Sequence, residues 1–254
     1  GDDGGDGGGV ADARPSSTAD AQTTGADGAP AVDASILDGG LDAMGSDAGD
    51  VVASEVVINE VLLDQAANSD TDEFAELKGM PNTDYSALTL LQIDGDNGTN
   101  INPGLVLSAH PGCMTDANGH CEIVVAANTF ENGSQTLLLV SGSTAVADTT
   151  DIDAANDGVI DNAAWGEVLD GVAIFDNKPV DGNTDFSYAG AVTLTKVVAN
   201  NGKPLEFGGA SRIPDGTDTN TAADWTSNTP NFDNSGIQSG EARNTPAAAN
   251  TVEP

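Results

Sequence analysis

The sequence predicts an all-β fold, a sandwich of two antiparallel sheets, for the chain beyond about residue 55. Three observations predict it. Short runs rich in Val, Ile, Leu and Thr recur along the chain. Asn, Gly, Asp and Pro clusters separate them, which is the punctuation of strands and turns. No window carries a sustained apolar stripe at helical spacing, and the best contender, "DTTDIDAANDG", is too rich in Asp and Gly to propagate a helix.

Residues 1–54 stand apart. They are nearly all Gly, Asp, Ala, Ser, Thr and Pro, open on "GDDGGDGGG", hold no aromatic residue and carry one cation, Arg14. Such a segment has too little apolar surface to offset the ~1–2 kcal/mol per residue of backbone entropy lost on ordering, so alone it is expected to act as a tether. Its most apolar part is "AVDASILDGGLDAM", where Val32, Ile36, Leu37, Leu41 and Met44 could be donated as an extended segment to the open sheet edge of another copy. A chain that starts on Gly rather than Met, with this composition, suggests an exported protein. A lipid on a residue ahead of Gly1 is then the one expected route to a membrane.

The strand runs follow in order. "EVVINEVLL" and "FAELKG" form the first expected pair; "LTLLQIDG", "GLVLS", "CEIVVAA" and "QTLLLVSG" come next; "EVLDGVAIF", "AVTLTKVV" and "ASRIPDG" complete the set. Fully apolar runs such as "LLLV" should be central strands, and alternating ones such as "AVTLTKVV" should have one wet face. Two Trp, two Tyr and six Phe must serve the whole chain, so aliphatic residues fill the core, with Phe74, Phe175, Trp165 and Trp225 as expected anchors. The sandwich is expected to span 55–240. Residues 241–254, ending "NTPAAANTVEP", look like a linker or frayed end.

Charge excludes one class of partner. With 41 acidic against 7 basic residues the net charge is -34, and no Lys/Arg cluster exists to meet a phosphate backbone, so no nucleic acid is expected. Divalent cations are the natural counter-ions of such a surface. Cys113 and Cys121 enclose "CMTDANGHC", and in an exported chain two cysteines this close suit one disulfide. The rival is zinc on His110, Cys113, His120 and Cys121, although adjacent ligands at 120 and 121 diverge in extended backbone and no familiar finger spacing is matched.

Two further patterns carry chemistry. In "DTTDIDAANDGVID", the oxygens of Asp151, Asp153, Asn156, Asp157 and Asp161, with Gly158 for a turn, approximate a loop that wraps calcium; Ala155 and Ala164 stand where that pattern wants ligands. The alternative is a solvated Asx-rich loop. Asn97-Gly-Thr and Asn132-Gly-Ser fit the glycan acceptor pattern. Glu60, Glu73 and Glu76 sit inside apolar runs, yet no nucleophile with a base beside it is visible and no Gly-x-Ser-x-Gly elbow occurs. They are expected to be architectural, pairing with a rare cation such as Arg212 or capping backbone amides. Arg212 itself is expected to fork onto a carboxylate inside the domain.

"VVINEVLLD", "DEFAELKG", "YSALTLLQIDGDNG", "QTLLLVSG" and the closing "GASRIPDGTDTNTAADWTSNTPNFDNSG" together resemble the lamin-tail domain in its bacterial, extracellular form, over most of residues 55–236. The most specific elements are Ile58-Asn59-Glu60, the Glu-Phe-x-Glu-Leu run and Ser-Arg-Ile-Pro-Asp-Gly-Thr-Asp-Thr. Two insertions, Gly112–Cys121 and Thr149–Asn162, depart from the family pattern. The resemblance implies an immunoglobulin-like sandwich and a secreted or cell-surface location. The expected function is a non-catalytic structural subunit, forming filaments with copies of itself through its N-terminal segment and requiring no cofactor. A calcium-dependent adhesion module is the alternative.

Overall fold

The structure is a computed structural model, and it describes residues 56–63, 72–98, 102–175, 185–195, 207–229 and 236–254. The compact unit that holds them runs to Pro254. The candidate assembly residues Val32, Ile36, Leu37, Leu41 and Met44 lie outside the described residues.

The protein is an all-β sandwich. All nine runs form strands: β1 (Val57–Leu62), β2 (Phe74–Lys78), β3 (Leu88–Asp94), β4 (Val106–Pro111), β5 (His120–Val124), β6 (Gln135–Ser141), β7 (Val168–Phe175), β8 (Val192–Thr195) and β9 (Gly209–Arg212). A tenth, β10 (Trp225–Asn228), follows a 3-10 turn over Ala222–Asp224. One sheet has the order β10-β9-β1-β2-β5 and the other β4-β3-β6-β7-β8. Every pairing is antiparallel except β7 with β8, which is parallel, so the expectation of purely antiparallel sheets is corrected at that edge.

The main core lies between the sheets, with Ile58, Val61, Ala75, Leu77 and Ile123 facing Leu90, Leu137, Leu139, Val172 and Ile174. Sheet pleating then turns Leu91, Ile93, Leu138 and Val140 outward, yet these are buried too. The acidic insertion covers them: Ile152 is fully buried on that face, with Ile160 and Trp165 packed beside it. Both faces of β3 and β6 are therefore dry, as their unbroken apolar runs require.

The expected anchors are only partly right. Trp225 joins the main core, and Phe74 is buried but outside both core clusters. Trp165 is half-buried, as is Phe175 at the end of β7. Among the described residues Tyr85, Tyr188, Phe130 and Phe207 are the other buried aromatics, the two tyrosines because each hydroxyl finds a partner, Met80 N–H and Asp153 respectively.

The frayed C-terminal end is overturned. Residues 240–253 form a hairpin with Ala242 bridging Val252, closed by Arg243 N–H to the Thr251 carbonyl at 2.9 Å and Glu253 N–H to the Glu241 carbonyl at 2.8 Å. Its turn docks on the outer face of the first sheet. The physical reason lies in that sheet, which buries carboxylates that need donors.

Candidate functional site

Glu60 and Glu76 are direct cross-strand partners on β1 and β2. The register shifts between Ile58 and Glu60, which leaves Asn59 as the extra residue of a bulge. Ile58 and Val61 thus both reach the core while Glu60 faces out, a break that strict alternation in "VINEVL" does not reveal. Pairing also aligns β2 with β5, so Lys78 lies beside His120 one row away.

The C-terminal turn seals this face. Thr245 N–H donates to Glu60 Oε1 at 2.9 Å and its hydroxyl to Oε2 at 3.2 Å. Ala247 N–H donates to Glu76 Oε2 at 2.6 Å. The Asn250 amide donates to the Asn59 and Arg212 carbonyls at 3.0 and 3.1 Å. Glu60 and Glu76 are fully buried. Burial pushes the Glu60 carboxyl up to about 8 against the opposing Thr245 bonds, and the Glu76 carboxyl up to about 7 against the bond from Asn59.

The turn between β9 and β10 brings a third carboxylate. Gly216, at φ +71, donates its N–H to Asn59 Oδ1 at 2.8 Å, and a Cβ there would meet Lys78 Cγ at 2.9 Å, so glycine lets the turn close over the sheet without strain. Asp215 then accepts from Asn59 Nδ2 at 2.9 Å, from Asn250 N–H at 3.2 Å and from Lys78 Nζ at 2.8 Å. Burial pulls its carboxyl upward, but the bonds from Lys78, Asn59 and Asn250 outweigh it and hold it below the usual carboxylate range. Asn59 Nδ2 also donates to Glu76 Oε1 at 2.8 Å, bridging the two acids.

His120 completes the cluster. Asp116 Oδ1 accepts from Asn118 N–H at 2.7 Å and His120 N–H at 2.9 Å, an Asx arrangement that aims the histidine inward. Its Nε2 lies 3.0 Å from Lys78 Nζ and 3.2 Å from Asp215 Oδ2. Ligand atoms of Glu76, His120 and Asp215 all lie within 4.8 Å of one another, as do those of the purely acidic group Asp94, Asp96 and Glu131.

The cysteines that flank this region are bonded to each other, as the compartment argument expects, which removes the zinc set of His110, Cys113, His120 and Cys121. His110 instead sits against Phe130, with ring centroids 6.3 Å apart.

The calcium pattern places differently. Asp153 is fully buried and spends its carboxylate inside the loop, accepting from Asp157 N–H at 3.0 Å, Gly158 N–H at 2.8 Å and the Tyr188 hydroxyl at 3.0 Å. Burial and that partnership raise the Tyr188 phenol above its ordinary value. Asp151 accepts from Asp153 N–H at 2.9 Å, Asp157 from Val159 N–H at 3.0 Å and Asp161 from Ala155 N–H at 3.1 Å. Among the described residues these carboxylates do not converge on one point, and Asn156 is exposed at φ +52. Asn132 is exposed and Asn97 half-buried, so the two glycan patterns differ in access.

Arg212 meets its expectation. It pairs with a carboxylate across the sandwich, its Nη2 alone spanning both Asp170 oxygens at 2.9 and 3.0 Å, while Nε and Nη1 donate to the Ile58 carbonyl and Asp218, and it lies 4.6 Å from the Trp225 ring centre. Sequence reasoning missed Lys78 and Asp215. The available signal is scarcity, since Lys78 and His120 belong to a chain with 7 cations and 2 histidines.

Comparison with protein-family models, with curated proteins and with solved structures gives no match.

Proposed function

We propose that this chain is a non-catalytic structural domain of an exported protein, a cell-surface or filament-forming subunit that assembles through its N-terminal segment. The observation that carries the reading is a seam between β8 and β10, each the outermost strand of its sheet among the described residues. There a groove of about 220 Å³ is lined by Thr193, Leu194, Thr195, Phe207, Trp225 and Ser227. Strands at a sheet edge are where an extended segment adds to a sheet. Val32, Ile36, Leu37, Leu41 and Met44 are the side chains the proposed donor would seat in a neighbouring copy, and a head-to-tail contact of this kind propagates into fibres unless its rotation closes.

The buried polar residues support the non-catalytic half of the reading. Glu60, Glu76 and Asn59 hold the C-terminal turn, and Arg212 with Asp170 ties the sheets. The Cys113–Cys121 disulfide suits an oxidising compartment, and no described helix is long and apolar enough to cross a membrane. The resemblance to lamin-tail domains belongs to the same proposal. A calcium-dependent module draws less support, because Asp151, Asp153, Asp157 and Asp161 do not converge on one point among the described residues.

The test is sizing and negative-stain microscopy of the full chain, of a chain lacking residues 1–50, and of full-length Thr195→Glu, at an exposed position of the groove. The full chain should give high-mass species, and both variants should be folded monomers. Fibres from the truncated chain would refute assembly through the N-terminal segment.

A further inference from the structure

The geometry points to a binding site for a divalent transition-metal ion, zinc by class, on Glu76, His120 and Asp215, with Lys78 as a built-in cation that the metal displaces. The donor set is one imidazole nitrogen and two carboxylates, with ligand atoms within 4.8 Å of one another. Mixed nitrogen and oxygen donors suit zinc rather than calcium, which takes oxygens alone.

A second observation, independent of the carboxylates, concerns His120. Its side chain is 3% exposed. Nε2 lies 3.0 Å from Lys78 Nζ and 3.2 Å from Asp215 Oδ2, and with the ammonium, which has only protons to offer, as the donor, Nε2 faces it with a lone pair. The ring proton is then on Nδ1, which is buried, has no hydrogen-bond partner and lies 3.8 Å from Asp116 Oδ1. A metal-bound histidine uses the same tautomer, with the lone pair toward the ion and the outer N–H toward a carboxylate.

Lys78 shows that the spot is built for a cation. Its ammonium is held by Asp215 at 2.8 Å, by His120 and by the Asn118 carbonyl at 2.9 Å. The side chain is 22% exposed, so it can swing to solvent without crossing the core. The ligands stay fixed when it leaves. Asn59 bonds Glu76 and Asp215 together and is itself held by Gly216, while Ala247 fixes the other Glu76 oxygen. A carboxylate oxygen that accepts one hydrogen bond keeps a further lone pair for a metal.

The test is calorimetric titration of chelator-stripped full-length protein with zinc chloride, and with cobalt(II), whose visible absorption reports nitrogen and oxygen ligation. Wild type should bind one ion. Lys78→Met should bind at least tenfold more tightly, because its own cation no longer competes. His120→Ala and His120→Gln should each lose at least a hundredfold, with far-UV circular dichroism showing the fold retained, and His110→Ala should bind as wild type does. Wild type and Lys78→Met that both ignore zinc would overturn the proposal. So would zinc affinity that both His120 variants leave within threefold, weaker binding by Lys78→Met, or loss of binding in His110→Ala.

Discussion

Each sheet of the sandwich has an outer face under a cover, and the two covers are held by opposite means. The acidic insertion covers β3 and β6 with apolar side chains, Ile152 above all, and its own buried carboxylate, Asp153, organises the loop from within. The C-terminal turn covers β1 and β2 with Thr, Pro and Ala, and the carboxylates that hold it stand on the sheet instead. A cover that brings oily surface needs only a shape. One that brings backbone N–H groups needs acceptors beneath it, and these acceptors titrate.

The largest expected difference is in packing. Ile152→Ala should cost about 2–5 kcal/mol in urea unfolding, because it empties a closed apolar site. Val252→Ala in the other cover should cost under about 0.5 kcal/mol, since that side chain is exposed. Equal losses would erase the contrast.

Deleting 241–254 comes next. It strips Glu60 and Glu76 of three donated bonds at once, and a loss of about 2–3 kcal/mol is expected at pH 5, read by the same denaturation.

The third difference is pH. Glu60 and Glu76 have ordinary values of 4.5 but folded values of about 8 and about 7. Between these limits the folded chain keeps protons that the unfolded chain has released, so stability falls as pH rises. Their contribution is fully present below pH 4.5 and is lost on passing about 8. The slope is at most about 1.4 kcal/mol per pH unit for each group. Glu60→Gln should flatten it. Amide exchange of residues 242–252 should quicken from pH 6 to 8 beyond the intrinsic rate, while that of 152–161 should not. The smallest effect is expected for Asp161→Asn, on the exposed rim of the acidic loop, at under about 0.5 kcal/mol by urea unfolding.

The contrast also explains what was legible in the sequence. Nine strands could be read because each carries its own β-branched and aliphatic signal. "WTSN" could not, being four residues long with two polar side chains half-buried on a sheet edge. "NTPAAANTVEP" has no apolar period, so composition alone marks it as a tail; the information that docks it lies far away, in two glutamates within apolar runs. Strict alternation places neighbours such as Asn59 and Glu60 on opposite faces, whereas the bulge lets the amide and the carboxyl serve one network. For the calcium pattern, spacing was visible and direction was not. Asp153 turns inward because Tyr188, contributed from the chain between β7 and β8, waits there with a buried hydroxyl.

Glu60 and Glu76 form a structural pair held under the C-terminal turn. Carbon-detected magnetic resonance titration of their side-chain carboxyls, in the intact chain with chelator present and in a chain ending at Gly240, reads that arrangement group by group. Midpoints near 8 and 7 are expected in the intact chain, both falling toward 4.5 once the turn is removed. Midpoints near 4.5 in the intact chain, or values that the truncation leaves in place, would contradict it.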